Sequence, residues 1–223
     1  MFMNNSKYVT HNREPFFQIA KNLINPTSTV LDVGAGNGKF ADYCNLNSIY
    51  LLDGNRDSIN NLKKEYPNVF HGKLPKLPFE DNKFDLIHMS HVIEHLQPQE
   101  VYDTLREFNR CCKPGGALVI SAPLMWEGFY DDLSHIKPYN PRIFEKYLCS
   151  NNQDNYSRDV ISSDFKVEMV QYRFLEQNYF YSIKHSSRIL PRIIFRIYNF
   201  MKKKGFRQYQ KTGYTIVLRK QIS

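Results

Sequence analysis

The stretch Val30-Leu31-Asp32-Val33-Gly34-Ala35-Gly36-Asn37-Gly38-Lys39-Phe40 decides the fold. Val30, Leu31 and Val33 form a short apolar run suited to a buried parallel strand. Gly34, Gly36 and Gly38 turn the chain, and Lys39 onwards reads as the start of a helix. Glycines suit such a turn because a side chain blocks positive φ and close approach of a ligand to the backbone. A strand, a glycine turn and a helix N-terminus make a nucleotide site at the carboxyl edge of a sheet. The spacing narrows the ligand. A dinucleotide fingerprint is G-x-G-x-x-G, whereas here the third glycine arrives one residue early. Asp32 also stands inside the strand end, where a carboxylate repels a pyrophosphate but attracts an ammonium group.

Working outward, Ile49-Tyr50-Leu51-Leu52 reads as a second strand, closed by Asp53 where nucleotide-binding α/β folds place an acid for ribose hydroxyls. His71-Gly72-Lys73-Leu74-Pro75-Lys76-Leu77-Pro78-Phe79 follows, running on to Phe84-Asp85-Leu86-Ile87. Beyond it stand Ser90-His91-Val92-Ile93-Glu94-His95-Leu96 and then Cys112-Lys113-Pro114-Gly115-Gly116-Ala117-Leu118-Val119-Ile120. In this order, over residues 30–123, the motifs resemble those of the class I S-adenosylmethionine (SAM)-dependent methyltransferases. The first has that family's E/D-x-G-x-G-x-G form, and residues 91–96 are similar to its H-V-I-E-H-L fourth motif.

The resemblance implies a Rossmann-like, mostly parallel seven-stranded α/β sheet with helices on both faces. Its last strand is antiparallel, with a helical insertion before it. It implies SAM as cofactor and S-adenosylhomocysteine as product. The cofactor residues would be Asp32, Gly34, Ala35, Gly36, Asn37 and Gly38 at the first motif, and Asp53, Gly54 and Asn55 at the ribose. Ser90 and His91 would follow at the fourth motif. Lys73 stands where many members carry an acid for the adenine amino group, so backbone atoms of Lys73 and Leu74 would hold the base.

At 223 residues and 42% hydrophobic content, one domain with a substantial core is expected over residues 1–223. It divides into an N-terminal helical segment (1–29), a cofactor core (30–123) and a substrate-facing remainder (124–223). No apolar run approaches the ~20 residues of a spanning helix. Met1-Phe2-Met3-Asn4-Asn5 lacks the pattern of a secretory leader. Cys44, Cys111, Cys112 and Cys149 show no metal-ligand spacing and no disulfide framework, and no metal ligands are expected. A cytoplasmic protein with reduced thiols is the expectation. The net charge of +8 is uneven. Residues 1–150 hold 16 Lys and Arg against 17 Asp and Glu, whereas residues 151–223 hold 14 against 5. The basic excess of the last third favours an anionic partner, which nucleic acid, a phosphorylated substrate or an anionic membrane surface would each supply.

Residues 13–24 read as an amphipathic helix with Phe16, Phe17, Ile19, Ala20, Leu23 and Ile24 on its apolar face. Tyr8, His11 and Arg13 precede it; in related enzymes that segment often covers the active site, and a frayed terminus is the other reading. Asp57 to Glu65 and Gln99 to Cys112 read as crossover helices, residues 165–169 as strand six and residues 214–218 as strand seven. Residues 187–204 gather Ile189, Leu190, Ile193, Ile194, Ile197 and Met201 on one helical face and Arg188, Arg192, Arg196 and Lys203 towards the other. A helix of this kind meets a membrane surface or covers the core with its basic face outward; the second is expected.

Methyl transfer to a hydroxyl needs an aligned nucleophile and removal of its proton, a task suited to histidine. His135, flanked by Asp131 and Asp132 on the loop from Trp126 to Tyr139, is the first candidate for the base, with Asp132 as its orienting carboxylate. His91 and His95 are the others. Glu94 and His95 also read as packing residues of a helix after strand four, and Trp126 and Tyr130 as pocket walls or as packing beneath a loop that has no need to bury apolar bulk. Asp132 to Tyr139 carries a D-x-x-H-x-x-P-[YF] pattern similar to one in methyltransferases of surface-glycan synthesis. The expected acceptor is therefore a small molecule, a phosphorylated or nucleotide-linked sugar of a glycan intermediate, methylated on oxygen. A quinone or lipid headgroup is the alternative, with residues 187–204 as a peripheral membrane contact. Nucleic acid is not expected, because Ser90-His91-Val92-Ile93 stands where base methyltransferases carry an N/D-P-P-Y motif. A non-catalytic SAM-binding partner subunit and a dehydrogenase remain as rivals of other classes.

Overall fold

The computed structural model describes residues 6–150, 157–176 and 188–222. The leader reading at Met1 to Asn5, and residue 187 of the basic helix, lie outside the described residues. Among the described residues, seven strands form one sheet: β1 (Val30–Val33), β2 (Tyr50–Asp53), β3 (Asn68–His71), β4 (Phe84–Ser90), β5 (Cys112–Pro123), β6 (Phe165–Glu176) and β7 (Tyr209–Lys220). Their order is β3-β2-β1-β4-β5-β7-β6. The strands β1 to β5 are mutually parallel, and β7 runs antiparallel to both β5 and β6. The order reverses between β1 and β4, so a crevice opens beyond the carboxyl ends of those two strands.

Two apolar layers hold the sheet. On one face, α1 (Glu14–Lys21), α2 (Lys39–Cys44) and α3 (Arg56–Leu62) pack Phe16, Phe17, Phe40, Ile59 and Leu62 against Val30, Leu51, Leu86 and Val119. On the other, α4 (Pro98–Cys111) and α5 (Arg142–Leu148) pack Val101, Leu105, Phe108, Phe144 and Leu148 against Leu31, Val33, Ile87 and Ile120. The alternation Val30/Leu31 and Leu86/Ile87 between the layers is the period-two pattern of strands buried on both sides.

The helices obey their end signals. Pro15 begins α1 in its first turn, where a missing N–H costs nothing. The helix stops at Lys21, three residues short of the expected 24, and Leu23 and Ile24 pack from the following turn. Asn55 caps α3 through its side-chain oxygen, which accepts from Asp57 N at 2.8 Å. Glu100 reaches back to the amide of Gln97 at 2.7 Å at the start of α4.

Strands six and seven are longer than the alternation at 165–169 and 214–218 suggests. They form a twelve-residue antiparallel pair, from Phe165↔Lys220 to Glu176↔Tyr209. A bulge between Val167 and Met169 shifts the phase, so Val167 and Val170 both meet the core. A one-residue slip flips every later side chain and erases a simple period-two signal.

The helix α6 (Ile189–Lys203) joins β6 to β7, and here the expectation is corrected. Its apolar residues do not cover the core: Ile189 is 76% exposed, Leu190 67% and Phe200 62%, and Tyr198 alone in the helix is buried.

Candidate active site

The glycine turn is shaped by its neighbours. Gly34 N and Ala35 N donate to Leu52 O at 2.8 and 3.1 Å, tying the turn to the end of β2. Gly34 has φ +72°, and a Cβ there would stand 2.2 Å from Val92 Cγ2. Only glycine admits both the backbone angle and the approach of the segment after β4. Gly38, at φ +81°, starts α2. Ala35 turns into the core with Phe40 and Ala41. Asn37 is exposed and faces a separate depression beside Asp57 and Asn61 rather than the crevice.

In the crevice, Asp53 is the central polar group. Its Oδ2 accepts from Gly36 N at 2.8 Å and its Oδ1 from Asn55 N at 2.7 Å. The carboxylate thus stands at the mouth of the glycine turn, at the end of β2. A cleft of about 250 Å³ opens beside it, lined among others by Gly34, Asp53, Lys73, Leu74, Val92 and His95. Gly54 lines it too, whereas the side chain of Asn55 is spent on the α3 cap. Five of the residues expected at the cofactor therefore meet at one cleft: Gly34, Asp53, Gly54, Lys73 and Leu74. An acid at the glycine turn fits a ribose diol and a cationic ligand, and disfavours a pyrophosphate.

Asp32 differs from its expected role. It is 3% exposed, and its Oδ1 lies 2.7 Å from His88 Nδ1 on the neighbouring strand, in register with it. His88 stacks on Phe40 at 3.7 Å and meets Phe17 edge-on. The pair is a polar tie between β1 and β4 beneath α1 and α2. Asp32 is not an open carboxylate awaiting an ammonium group.

The fourth motif forms one turn of helix, Ile93–His95, rather than a longer one. His91 has φ 58° and sits between two ionic partners. Its Nε2 lies 3.1 Å from Arg173 Nη1, and its Nδ1 lies 3.0 Å from Glu94 Oε1. Arginine only donates, so Nε2 accepts and Nδ1 carries the proton given to Glu94. Burial lowers the His91 pKa, Glu94 opposes that shift, and the charges of Arg173 and Arg13 add to it. A ring whose Nε2 lone pair already accepts from Arg173 is a poor base, which disfavours His91 for that role. Around it, Arg13, Ser90, Ser121, Arg173 and Thr215 line a narrow recess. The segment ahead of α1 reaches this recess through Arg13 and is fastened by Thr10 N donating to Phe174 O at 3.2 Å.

His135 is held at the other side of the fourth motif. Its Nδ1 donates to Phe129 O at 2.6 Å, and its ring packs on Phe129 at 4.7 Å and lies 5.0 Å from His95. Asp132 does not orient it closely: Oδ2 is 3.9 Å from His135 Nε2. Instead Oδ1 of Asp132 takes bonds from Ser134 N and Oγ at 2.8 and 2.6 Å, which keep its carboxyl below the usual range. The loop does bury apolar bulk, since Phe129 is fully enclosed, whereas Tyr130 is exposed and meets Phe129 edge-on. Glu94 and Arg173 were not legible as site residues. Arg173 comes from β6, far along the chain, and Glu94 owes its position to a turn that no periodicity announces.

Comparison with known proteins bears on the fold. Residues 31–120 match the family model described as a methyltransferase domain. An uncharacterized methyltransferase of Schizosaccharomyces pombe is 31% identical over 102 residues, which are 44% of this chain and 39% of that protein. One from Synechocystis is 28% identical over 113 residues, 48% of this chain and 53% of that protein. The chain thus spans between two fifths and about half of the curated relatives it matches. Among solved structures, a SAM-dependent methyltransferase from Archaeoglobus fulgidus aligns with TM-score 0.60 at 21% identity, over 93% of this chain and 97% of that one. A putative sarcosine dimethylglycine methyltransferase from Galdieria sulphuraria aligns with TM-score 0.57 at 15% identity, over 94% and 85%. At these identities the likeness establishes the fold alone, a Rossmann-like sheet shared with these proteins.

Proposed function

We propose that the protein is a SAM-dependent methyltransferase that methylates a hydroxyl of a small, anionic acceptor. The observation that carries this reading is the Asp53 carboxylate at the mouth of the glycine turn, in a cleft shared with Gly34, Lys73 and Leu74. Asp53 would hold the ribose hydroxyls, and backbone atoms at Lys73 and Leu74 the adenine. When bound, SAM supplies an electrophilic methyl group on a sulfonium with a neutral thioether to leave. The chain's own contribution is then alignment and activation of the acceptor. His95 and His135 each engage a backbone carbonyl through Nδ1, leaving Nε2 lone pairs to activate a hydroxyl. Arg13 and Arg173 offer positive charge in the recess beside His91, suited to a phosphorylated or nucleotide-linked sugar. Calorimetry of the purified chain tests the cofactor. Micromolar binding of SAM and S-adenosylhomocysteine without NADH is expected; NADH binding instead would make it a dehydrogenase, and binding of none would leave a partner subunit.

The outward apolar face of α6 favours a second reading, in which the acceptor is a quinone or lipid at an anionic bilayer. Ile189, Leu190, Ile193, Ile197 and Phe200 are exposed on a helix that also carries Arg192, Arg196 and Lys203. Apolar insertion plus attraction to anionic headgroups is how such helices adsorb. No helix among the described residues is long and apolar enough to cross a membrane. Co-sedimentation with phosphatidylglycerol vesicles, but not phosphatidylcholine vesicles, is expected under this reading, and Phe200→Asp should weaken it. Equal recovery in the supernatant with both lipids would remove it.

A further inference from the structure

Between the fourth motif and the loop after β5, the fold gathers Glu94, His95 and His135. One potential ligand atom from each lies within 4.8 Å of the other two. Glu94 is fully buried. Its Oε1 is held by His91 Nδ1 at 3.0 Å, while Oε2 has no hydrogen-bond partner among the described residues. A buried carboxylate oxygen without a donor or cation is costly, and native proteins rarely leave one so.

The two imidazoles are prepared in the same sense. His95 Nδ1 lies 3.1 Å from Ser134 O and His135 Nδ1 lies 2.6 Å from Phe129 O. Carbonyl oxygens only accept, so each ring carries its proton on Nδ1 and keeps an Nε2 lone pair free. An Nδ1–H bonded to a carbonyl, with Nε2 left for the metal, is how ligating histidines are oriented. The loop is pinned to the carboxylate's own backbone as well, since Ile136 N and Lys137 N donate to Glu94 O at 2.8 and 3.3 Å.

We infer that Glu94, His95 and His135 form a binding site for a divalent first-row transition cation such as zinc or manganese. Two ligand atoms at ~2.0–2.2 Å from one ion stand at most about 4.4 Å apart, so small side-chain rotations bring the three atoms onto it. Two imidazoles and one carboxylate leave further coordination positions open. His95 also lines the cleft that holds Gly34 and Asp53, so those positions border the space proposed for methyl transfer. The catalytic role of the cation rests on the methyltransferase reading; its binding does not. With the cation bound, His95 and His135 serve as its ligands and not as free bases, so an acceptor hydroxyl on the ion becomes more acidic and releases its proton to water. The alkoxide oxygen then forms the new C–O bond as the methyl C–S bond breaks, and that electron pair stays on sulfur as the neutral thioether. The ion keeps its oxidation state throughout.

The test is calorimetric titration of the full chain, stripped with EDTA and dialysed, with zinc or manganese chloride alone. One cation per chain at micromolar or tighter affinity is expected. Glu94→Gln and His135→Ala should each weaken it by at least 100-fold, and His11→Ala, on the exposed N-terminal segment, should leave it unchanged. Circular dichroism confirms folding of each variant, and His95→Asn is a second ligand variant in case Glu94→Gln unfolds. Absence of stoichiometric binding, or full affinity in the folded ligand variants, overturns the site. Cation binding without SAM binding overturns the methyltransferase reading alone. Full methyl transfer by the stripped protein overturns the cation's catalytic role.

Discussion

Asp53→Ala is expected to lower SAM affinity by about 100-fold or more. A carboxylate that accepts from both hydroxyls of a ribose makes two charge-assisted bonds worth roughly 1.5–3 kcal/mol each. Losing about 3 kcal/mol is roughly a hundredfold in the dissociation constant. The same carboxylate also accepts from Gly36 N and Asn55 N, so the substitution loosens the glycine turn as well. Two controls separate these effects. Asp53→Asn keeps one side-chain oxygen able to accept and should fall between wild type and Asp53→Ala. A melting curve reports the turn's contribution to stability without ligand. Unchanged SAM affinity in a folded Asp53→Ala variant would remove Asp53 from the site.

The cleft proposed for the cofactor is legible in the chain because its parts are local. Gly34 to Lys39 is a strand end, a turn and a helix start within a few residues, and Asp53 follows at the end of the very next strand. What resisted reading depends on distant pairs. Asp32 reads as an open carboxylate until His88, on the neighbouring strand, is found 2.7 Å away. His91 reads as a candidate base until Arg173, from the far edge of the sheet, is found on its lone pair. The bulge at Val167 hid the second half of β6 by reversing the alternation that marks a strand. For the same reason no metal ligand set was expected. Glu94 and His95 are adjacent, but the third donor, His135, arrives from a separate loop, and neither spacing nor periodicity links them. The orientation of α6 resists reading for a related reason. An amphipathic pattern states that a face is apolar, not whether the protein or another phase covers it.

His135→Ala is expected to slow methyl transfer by about 10²–10⁴-fold, the range for loss of a group that assists proton removal. SAM affinity should stay unchanged, because His135 does not line the cleft of Asp53 and Lys73. The expectation follows from how tightly the ring is set. Phe129 is fully enclosed, its carbonyl fixes His135 Nδ1, and its ring packs against the imidazole. A loop side chain that merely caps backbone groups would need no such support and no second imidazole 5.0 Å away. His135→Gln serves as the control for shape, since its amide can still donate to Phe129 O while offering no imidazole lone pair; it should be nearly as slow as His135→Ala. A Gln variant at wild-type rate would show that His135 acts only by holding the loop. Asp132→Asn, by contrast, should reduce the rate less than tenfold, because one of its oxygens serves Ser134 and the other lies 3.9 Å from the ring. If Asp132→Asn proved the slower variant, the work of activation would move from the imidazole pair to that carboxylate.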